Sequence, residues 1–187
     1  MKITQNKNST MSTNSNVLNP PTFHRWTWLG VLLSIVGLLG YGYYLQYWQY
    51  LDPCPLCMTQ RFFYYCLAIA AVIGFFMYRS WFAQRLAAIL GFAASLGGLI
   101  TAGRQVWLQH LPADQVPECG PGLEFWLENM PFMRTLELLF KGDGNCAEVN
   151  WRFLGLSIAE WSLAWFLIFA IVTLRILFTR KRVPASA

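Results

Sequence analysis

Four long apolar stretches dictate most of what this chain can fold into. They run over about residues 26–47, 62–78, 86–103 and 158–178, and each approaches the ~20 residues that a bilayer core requires. A segment in lipid must satisfy its own backbone polar groups, so separate apolar runs of this length become helices. The expected fold is an all-α membrane protein, a four-transmembrane-helix bundle forming a single domain over residues 23–180. Composition agrees: 56% of the residues are hydrophobic and 12% charged, against about 25% charged in a soluble domain.

The charges orient the bundle. Loops alternate sides, so one side holds Lys2, Lys7, Arg25, Arg79, Arg85, Arg175 and the Arg180-Lys181-Arg182 run, with no acid. The other holds all nine acids with Arg61, Arg104, Arg134, Lys141 and Arg152. Lys and Arg mark cytoplasmic loops. Both termini and the Arg79–Arg85 turn are therefore expected in the cytoplasm, and the loops at about 48–61 and 104–157 outside it. The net charge of +5 is then a topology signal. Its bases form short tails beside membrane ends, so no nucleic-acid partner is expected. Residues 1–22 are polar and end in Pro20-Pro21, which predicts a disordered cytoplasmic tail. They lack the apolar core and cleavage site of a signal peptide, and Met11 is an alternative start. Residues 181–187 form a second short cytoplasmic tail.

The chemistry lies in cysteines. Cys54-Pro55-Leu56-Cys57 stands where a polar turn enters the second span, and Cys119 and Cys146 lie far apart in the second outer loop. All four are on the oxidising side, where disulfides form and persist. Residues four apart on a helix share a face. A helix starting near Cys57 puts Arg61 one turn below it, and the guanidinium and the helix N-terminus both favour a thiolate, the attacking species in exchange. The alternative reading of Arg61 is an interfacial charge whose stem lies along apolar surface. Cys119 and Cys146 sit in Gly/Pro-rich stretches expected to be exposed and mobile. Joined, they would staple a long loop by about 3–5 kcal/mol, or serve as the second half of a relay. Four cysteines can also make a zinc site, although only one pair has close ligand-like spacing. Cys66, inside the second span, reads as a packing residue.

Other features carry weaker signals. Tyr41, Tyr43, Tyr44, Tyr47, Trp48 and Tyr50 close the first span, either as an interfacial belt or with some rings lining a pocket for a planar ligand. Gly91, Ser95, Gly97, Gly98 and Gly103 give the third span a small-residue face for close helix packing. Residues 123–130 alternate acids at a four-residue spacing with apolar residues, which predicts a short interfacial helix in the second outer loop, broken near Pro131. His110 closes the third span and can bond a ligand carbonyl or simply sit at the interface.

From Trp26 to Phe178 the chain resembles the DsbB-type disulfide oxidoreductases of bacterial inner membranes. The resemblance is carried by Cys54-Pro-Leu-Cys57 with Arg61, by Cys119 and Cys146, and by Gly144-Asn-Cys-Ala-Glu148 followed by Trp151-Arg-Phe-Leu-Gly-Leu156. It implies a multi-pass inner-membrane enzyme with its cysteine loops in the periplasm. That enzyme would reoxidise a periplasmic, thioredoxin-fold, DsbA-like partner and pass the electrons to a membrane quinone, ubiquinone or menaquinone. DsbA is itself a strong oxidant, so its reoxidation demands a strong acceptor. The resemblance further implies that the partner attacks a Cys119–Cys146 disulfide at Cys119 and that Cys146 then exchanges with Cys54. Cys57 would deliver electrons to the quinone beside Arg61, with His110 similar to a family histidine near that site. The competing expectation is a membrane metal-binding protein that uses the same four cysteines for zinc.

Overall fold

The structure is a computed structural model that describes residues 21–112, 114–117, 131, 133–134, 137, 140, 142–149 and 151–178. Cys119, the segment 123–130 expected as an interfacial helix, and most of both tails lie outside the described residues. Four helices dominate: α1 (Pro21–Trp48), α2 (Pro55–Phe76), α3 (Trp81–Gln109) and α4 (Ile158–Phe178). All four are long and apolar enough to cross a membrane. At 1.5 Å per residue the shortest, α4, extends about 32 Å, enough for the hydrocarbon core. A two-residue antiparallel hairpin, β1 (Arg152–Phe153) and β2 (Leu156–Ser157), leads directly into α4.

The helix ends differ from the apolar runs, for local reasons. Proline is tolerated at the first helical position, where its missing N–H costs nothing; α2 accordingly begins at Pro55 with Cys54 as its N-cap, ahead of the expected start at Cys57. Helix α3 begins with Ser80 accepting a hydrogen bond from the Ala83 N–H and continues past its apolar run to Gln109. Residues 104–109, expected in the outer loop, are therefore helical. At α4 the sequence Ser157-Ile-Ala-Glu160 forms a capping box. The Ser157 N–H donates to Glu160 Oε2 at 2.6 Å and the Glu160 N–H to Ser157 Oγ at 3.3 Å.

Small residues govern the packing, as membrane helices require. Helix α3 packs extensively on both α2 and α4, while α1 lies mainly against α2. A Cβ on Gly98 would come within 2.3 Å of the Phe166 ring, and one on Gly97 within 2.3 Å of Phe63. These two glycines seat the aromatic rings of α4 and α2 directly on the α3 backbone. Phe166 in turn stacks on Tyr64, ring centroids 4.2 Å apart. Hydroxyls inside the bundle bond back to their own helices: Ser95 to the Gly91 carbonyl, and Thr173 to the carbonyls of Phe169 and Ala170. Toward the opposite end from the cysteines, Trp28 Nε1 donates to Gln84 Oε1 at 2.9 Å, and Gln84 Nε2 donates to the Gly74 carbonyl at 2.5 Å. Interhelical bonds of this kind contribute about 0.6 kcal/mol each on average. Cys66 packs against the central core cluster, as expected of a small buried hydrophobe.

The fold places the first turns of α2 and α4 and the last turns of α1 and α3 at one end. Cys54, Cys57, Arg61, Gln105 and Gln109 gather there. Arg25, Arg79, Arg85 and Arg175 belong to the other end, the charge asymmetry expected from the loops.

Candidate functional site

The pair at the head of α2 is preorganised. Cys54 has extended backbone at the N-cap, and its carbonyl accepts the first helical bond, from the Met58 N–H at 3.1 Å. Cys57 follows as the third residue of the helix, near the positive end of the peptide dipoles. The two sulfurs lie 3.2 Å apart, with the Cys54 thiol donating to Cys57 Sγ.

Cys146 completes a group of three sulfurs. It stands at the end of a 3-10 turn, Gly144–Cys146, fully buried against Cys54, Leu56 and Leu108. This corrects the expectation that its Gly-rich stretch is exposed and mobile. Gly142 explains the difference. Its φ of +74° suits glycine, and a Cβ there would meet Leu56 and Leu108 side chains at 2.8 and 2.9 Å. Only a residue without a side chain lets the strand of chain dive onto the α2–α3 groove and deliver Cys146 to Cys54. Hydrogen bonding with Cys146, then with Cys57, and then burial push the Cys54 thiol well above the ordinary range. Cys54 thus sits between two other sulfurs, Cys57 and Cys146, as the middle member of the group.

Two residues absent from the sequence reading hold this group. Gln105 of α3 and Gln60 of α2 are both buried. Gln60 Nε2 donates to Gln105 Oε1 at 2.7 Å, and Gln105 Nε2 lies 3.2 Å from Cys57 Sγ and 3.5 Å from Cys54 Sγ. The signal available in the sequence is register: Thr101, Gln105 and Gln109 recur at i, i+4 and continue the buried face of α3 into its last turns.

Arg61 lies one turn beyond Cys57, as expected, and its guanidinium is fastened to α1. It donates to Gln46 Oε1 at 2.6 Å and to the Gly42 carbonyl at 3.3 Å, and its carbon lies 4.8 Å from the Tyr43 ring centroid. Tyr43 also hydrogen-bonds Tyr65 of α2. His110 behaves differently. It is exposed, and its Nδ1 pairs with the Val106 carbonyl at 2.8 Å; the geometry does not bring it to the sulfurs.

A cavity of about 460 Å³ opens beside the pair, within the 300–1,000 Å³ typical of small-molecule sites. Cys54, Cys57, Gln60, Arg61 and Gln105 form its polar wall, and Leu38, Leu39, Leu45 and Trp165 supply apolar walls. Tyr41 also lines it, and a run of ring contacts, Tyr41 to Trp151 to Phe153 to Trp161, frames that side. Tyr47, Trp48 and Tyr50 are instead largely exposed. The aromatic cluster thus divides: its start serves the cavity, its end faces outward. The Trp151–Trp161 side is held by the hairpin, whose Leu154 and Gly155 both have positive φ, the turn geometry that suits two-residue hairpins. Trp161 Nε1 donates to the Phe153 carbonyl at 3.1 Å. Among the described residues no group of three or more His, Cys, Asp or Glu is arranged to hold a metal ion.

Comparison with known proteins matches residues 24–176 to the family model described as "Disulfide bond formation protein DsbB". Among curated proteins, a disulfide bond formation protein B of Hahella chejuensis is 47% identical over 140 residues, covering 75% of this chain and 85% of that protein. One of Nitrosococcus oceani is 46% identical over 157 residues, covering 80% and 89%. One of Marinobacter nauticus is 41% identical over 156 residues, covering 83% and 93%.

Proposed function

The chain belongs to the DsbB family of membrane disulfide bond formation proteins, and from that premise we propose that it is a thiol:quinone oxidoreductase that reoxidises a periplasmic DsbA-like protein. The observation that carries this reading is the burial of Cys146 against Cys54 while both sulfurs of the 54–57 pair line an apolar-walled cavity that Arg61 also lines. A relay needs an entry sulfur on one side of the pair and an electron exit on the other. Cys54 has Cys146 as its buried neighbour, and Cys57, one turn before Arg61, shares the cavity wall with it.

In this reading the DsbA-like dithiol opens a Cys119–Cys146 disulfide by attack at Cys119. The released Cys146 sulfur attacks Cys54, forming a Cys54–Cys146 bond and freeing Cys57 as the leaving group. The partner's second thiol then displaces Cys119 and leaves as its disulfide, and the Cys119 thiolate attacks Cys146 to restore the 119–146 disulfide and free Cys54. The 54–57 dithiol recloses by passing two electrons and two protons, through Cys57, to an acceptor in the cavity. Over one cycle the partner dithiol loses two electrons and two protons and becomes a disulfide. A quinone ring bound there would supply the two-electron acceptor. The lining suits such a ring: Arg61 and Gln60 offer donors to its carbonyl oxygens, and Leu38, Leu39 and Leu45 offer an apolar flank for its tail. Arg61 steadies negative charge at the exit, and Gln46 and Tyr43 keep its guanidinium in place.

The charge asymmetry of the two ends supports an inner-membrane orientation with both termini cytoplasmic and the sulfur end periplasmic. The test is a coupled assay on the purified protein in detergent, under argon, with a reduced DsbA-like protein and a soluble ubiquinone analogue. Dithiol and quinone disappear one for one if the reading is right. Absence of consumption with a folded protein and both quinone types supplied contradicts it.

A further inference from the structure

Gln105 stands where no function assigns a residue. It comes from α3, opposite the Cys-x-x-Cys turn, and is buried with 4% of its surface exposed. Its amide nitrogen is within hydrogen-bonding reach of both sulfurs, 3.2 Å from Cys57 and 3.5 Å from Cys54. Its amide oxygen accepts from Gln60 Nε2 at 2.7 Å, which orients the group, and also lies 3.6 Å from Cys57 Sγ, where a protonated thiol can donate to it. Burying two amides at this depth is costly unless their bonds are made, and here one bond locks the other in place. A bulky apolar residue would fill the space without aiming a donor at sulfur.

We propose that Gln105 sets the redox balance of the 54–57 pair by donating its amide N–H to Cys57 sulfur in the reduced form, with Gln60 as its positioning residue. The inference rests on the thiol-exchange reading of the pair. A donor next to sulfur is worth most when the sulfur carries negative charge. A disulfide sulfur is a weak acceptor and gains little. Gln105 therefore favours the opened pair over the closed one. This eases departure of Cys57 when Cys54 is attacked and makes the disulfide more readily reduced. Because the same nitrogen also reaches Cys54, the two sulfurs stay side by side for reclosure.

The equilibrium can be measured on the full chain in detergent with Cys119→Ser and Cys146→Ser, which isolates the pair. Dithiothreitol reduces the 54–57 disulfide by two electrons and two protons and becomes its own cyclic disulfide. The reduced fraction is read by alkylation and mass shift across a series of dithiothreitol ratios. Gln105→Met keeps side-chain length and removes the donor. Its reduction equilibrium constant is expected to fall about tenfold, the scale of one hydrogen bond to a charged group. That corresponds to a midpoint about 30 mV more negative for a two-electron couple. Gln105→His, which returns a ring N–H, is expected to recover most of the change. Gln60→Leu, which frees Gln105 from its anchor, is expected to shift the constant the same way by about threefold.

A Gln105→Met constant within twofold of the parent overturns the proposal, as does an equal shift in Gln105→His, which would point to volume alone. Should Gln105→Met fail to fold, an unchanged constant in Gln60→Leu overturns it. Neither quinone nor protein substrate enters the measurement. An inactive coupled assay therefore bears on the proposed function, and an unmoved equilibrium bears on Gln105.

Discussion

Cys146→Ser is expected to lower steady turnover of a reduced DsbA-like substrate by about a thousandfold or more, the scale on which loss of an essential nucleophile acts. The reason is geometric. Among the described residues Cys146 is the sulfur packed against Cys54 from outside the Cys-x-x-Cys turn. A serine hydroxyl there fills the same space without the ability to exchange. The variant should fold normally, because Leu56, Leu108 and Gly142 still seat the segment. It should also retain quinone-dependent oxidation of a small dithiol, which can reach the 54–57 pair without the relay. Parallel progress curves with the protein substrate and with dithiothreitol separate the two. Full turnover of the protein substrate would remove Cys146 from the path.

Arg61→Met is expected to slow quinone-dependent reoxidation of the reduced 54–57 pair by about a hundredfold, in the range found when one donor to developing negative charge is removed. Methionine preserves much of the apolar stem while deleting the charge. The guanidinium is held by Gln46, the Gly42 carbonyl and the Tyr43 ring, so it acts as a fixed charge at the cavity wall. Arg61→Lys keeps a point charge but lacks the planar fork that reaches Gln46 and Gly42 together, and an intermediate loss is expected. Stopped-flow measurement on prereduced protein reads this step apart from substrate exchange. Reoxidation of Arg61→Met within threefold of the parent would reduce Arg61 to an interfacial anchor.

Much of the fold was legible because lipid imposes a simple rule on apolar runs, and the sequence has four of them. The same rule hides helix ends. Helix α2 starts before its apolar run because Pro55 fits the first turn, and α3 runs past its own because Gln105 and Gln109 face the bundle interior. Counting hydrophobicity assigns such polar residues to a loop. This is why Gln60 and Gln105 escaped notice although Gln105 reaches both sulfurs and Gln60 holds it there. The Cys54–Cys57 turn and Arg61 were legible from spacing alone. The burial of Cys146 was not. A Gly-rich stretch reads as exposed unless one knows that the positive φ of Gly142 turns the chain inward onto Leu56. The division of the aromatic cluster into cavity and surface rings likewise depends on the position of Trp151, which no local pattern reveals.

The most direct test of the relay is to ask where the electrons leave. Fully reduced, detergent-purified protein is mixed under argon with one equivalent of a soluble ubiquinone analogue, quenched in acid, alkylated and mapped by peptide mass spectrometry. One 54–57 disulfide formed per quinone consumed, with Cys66 alkylated throughout, is the predicted result. Quinone consumption that leaves Cys54 and Cys57 alkylated, or that first oxidises another pair, would contradict electron exit through Cys57.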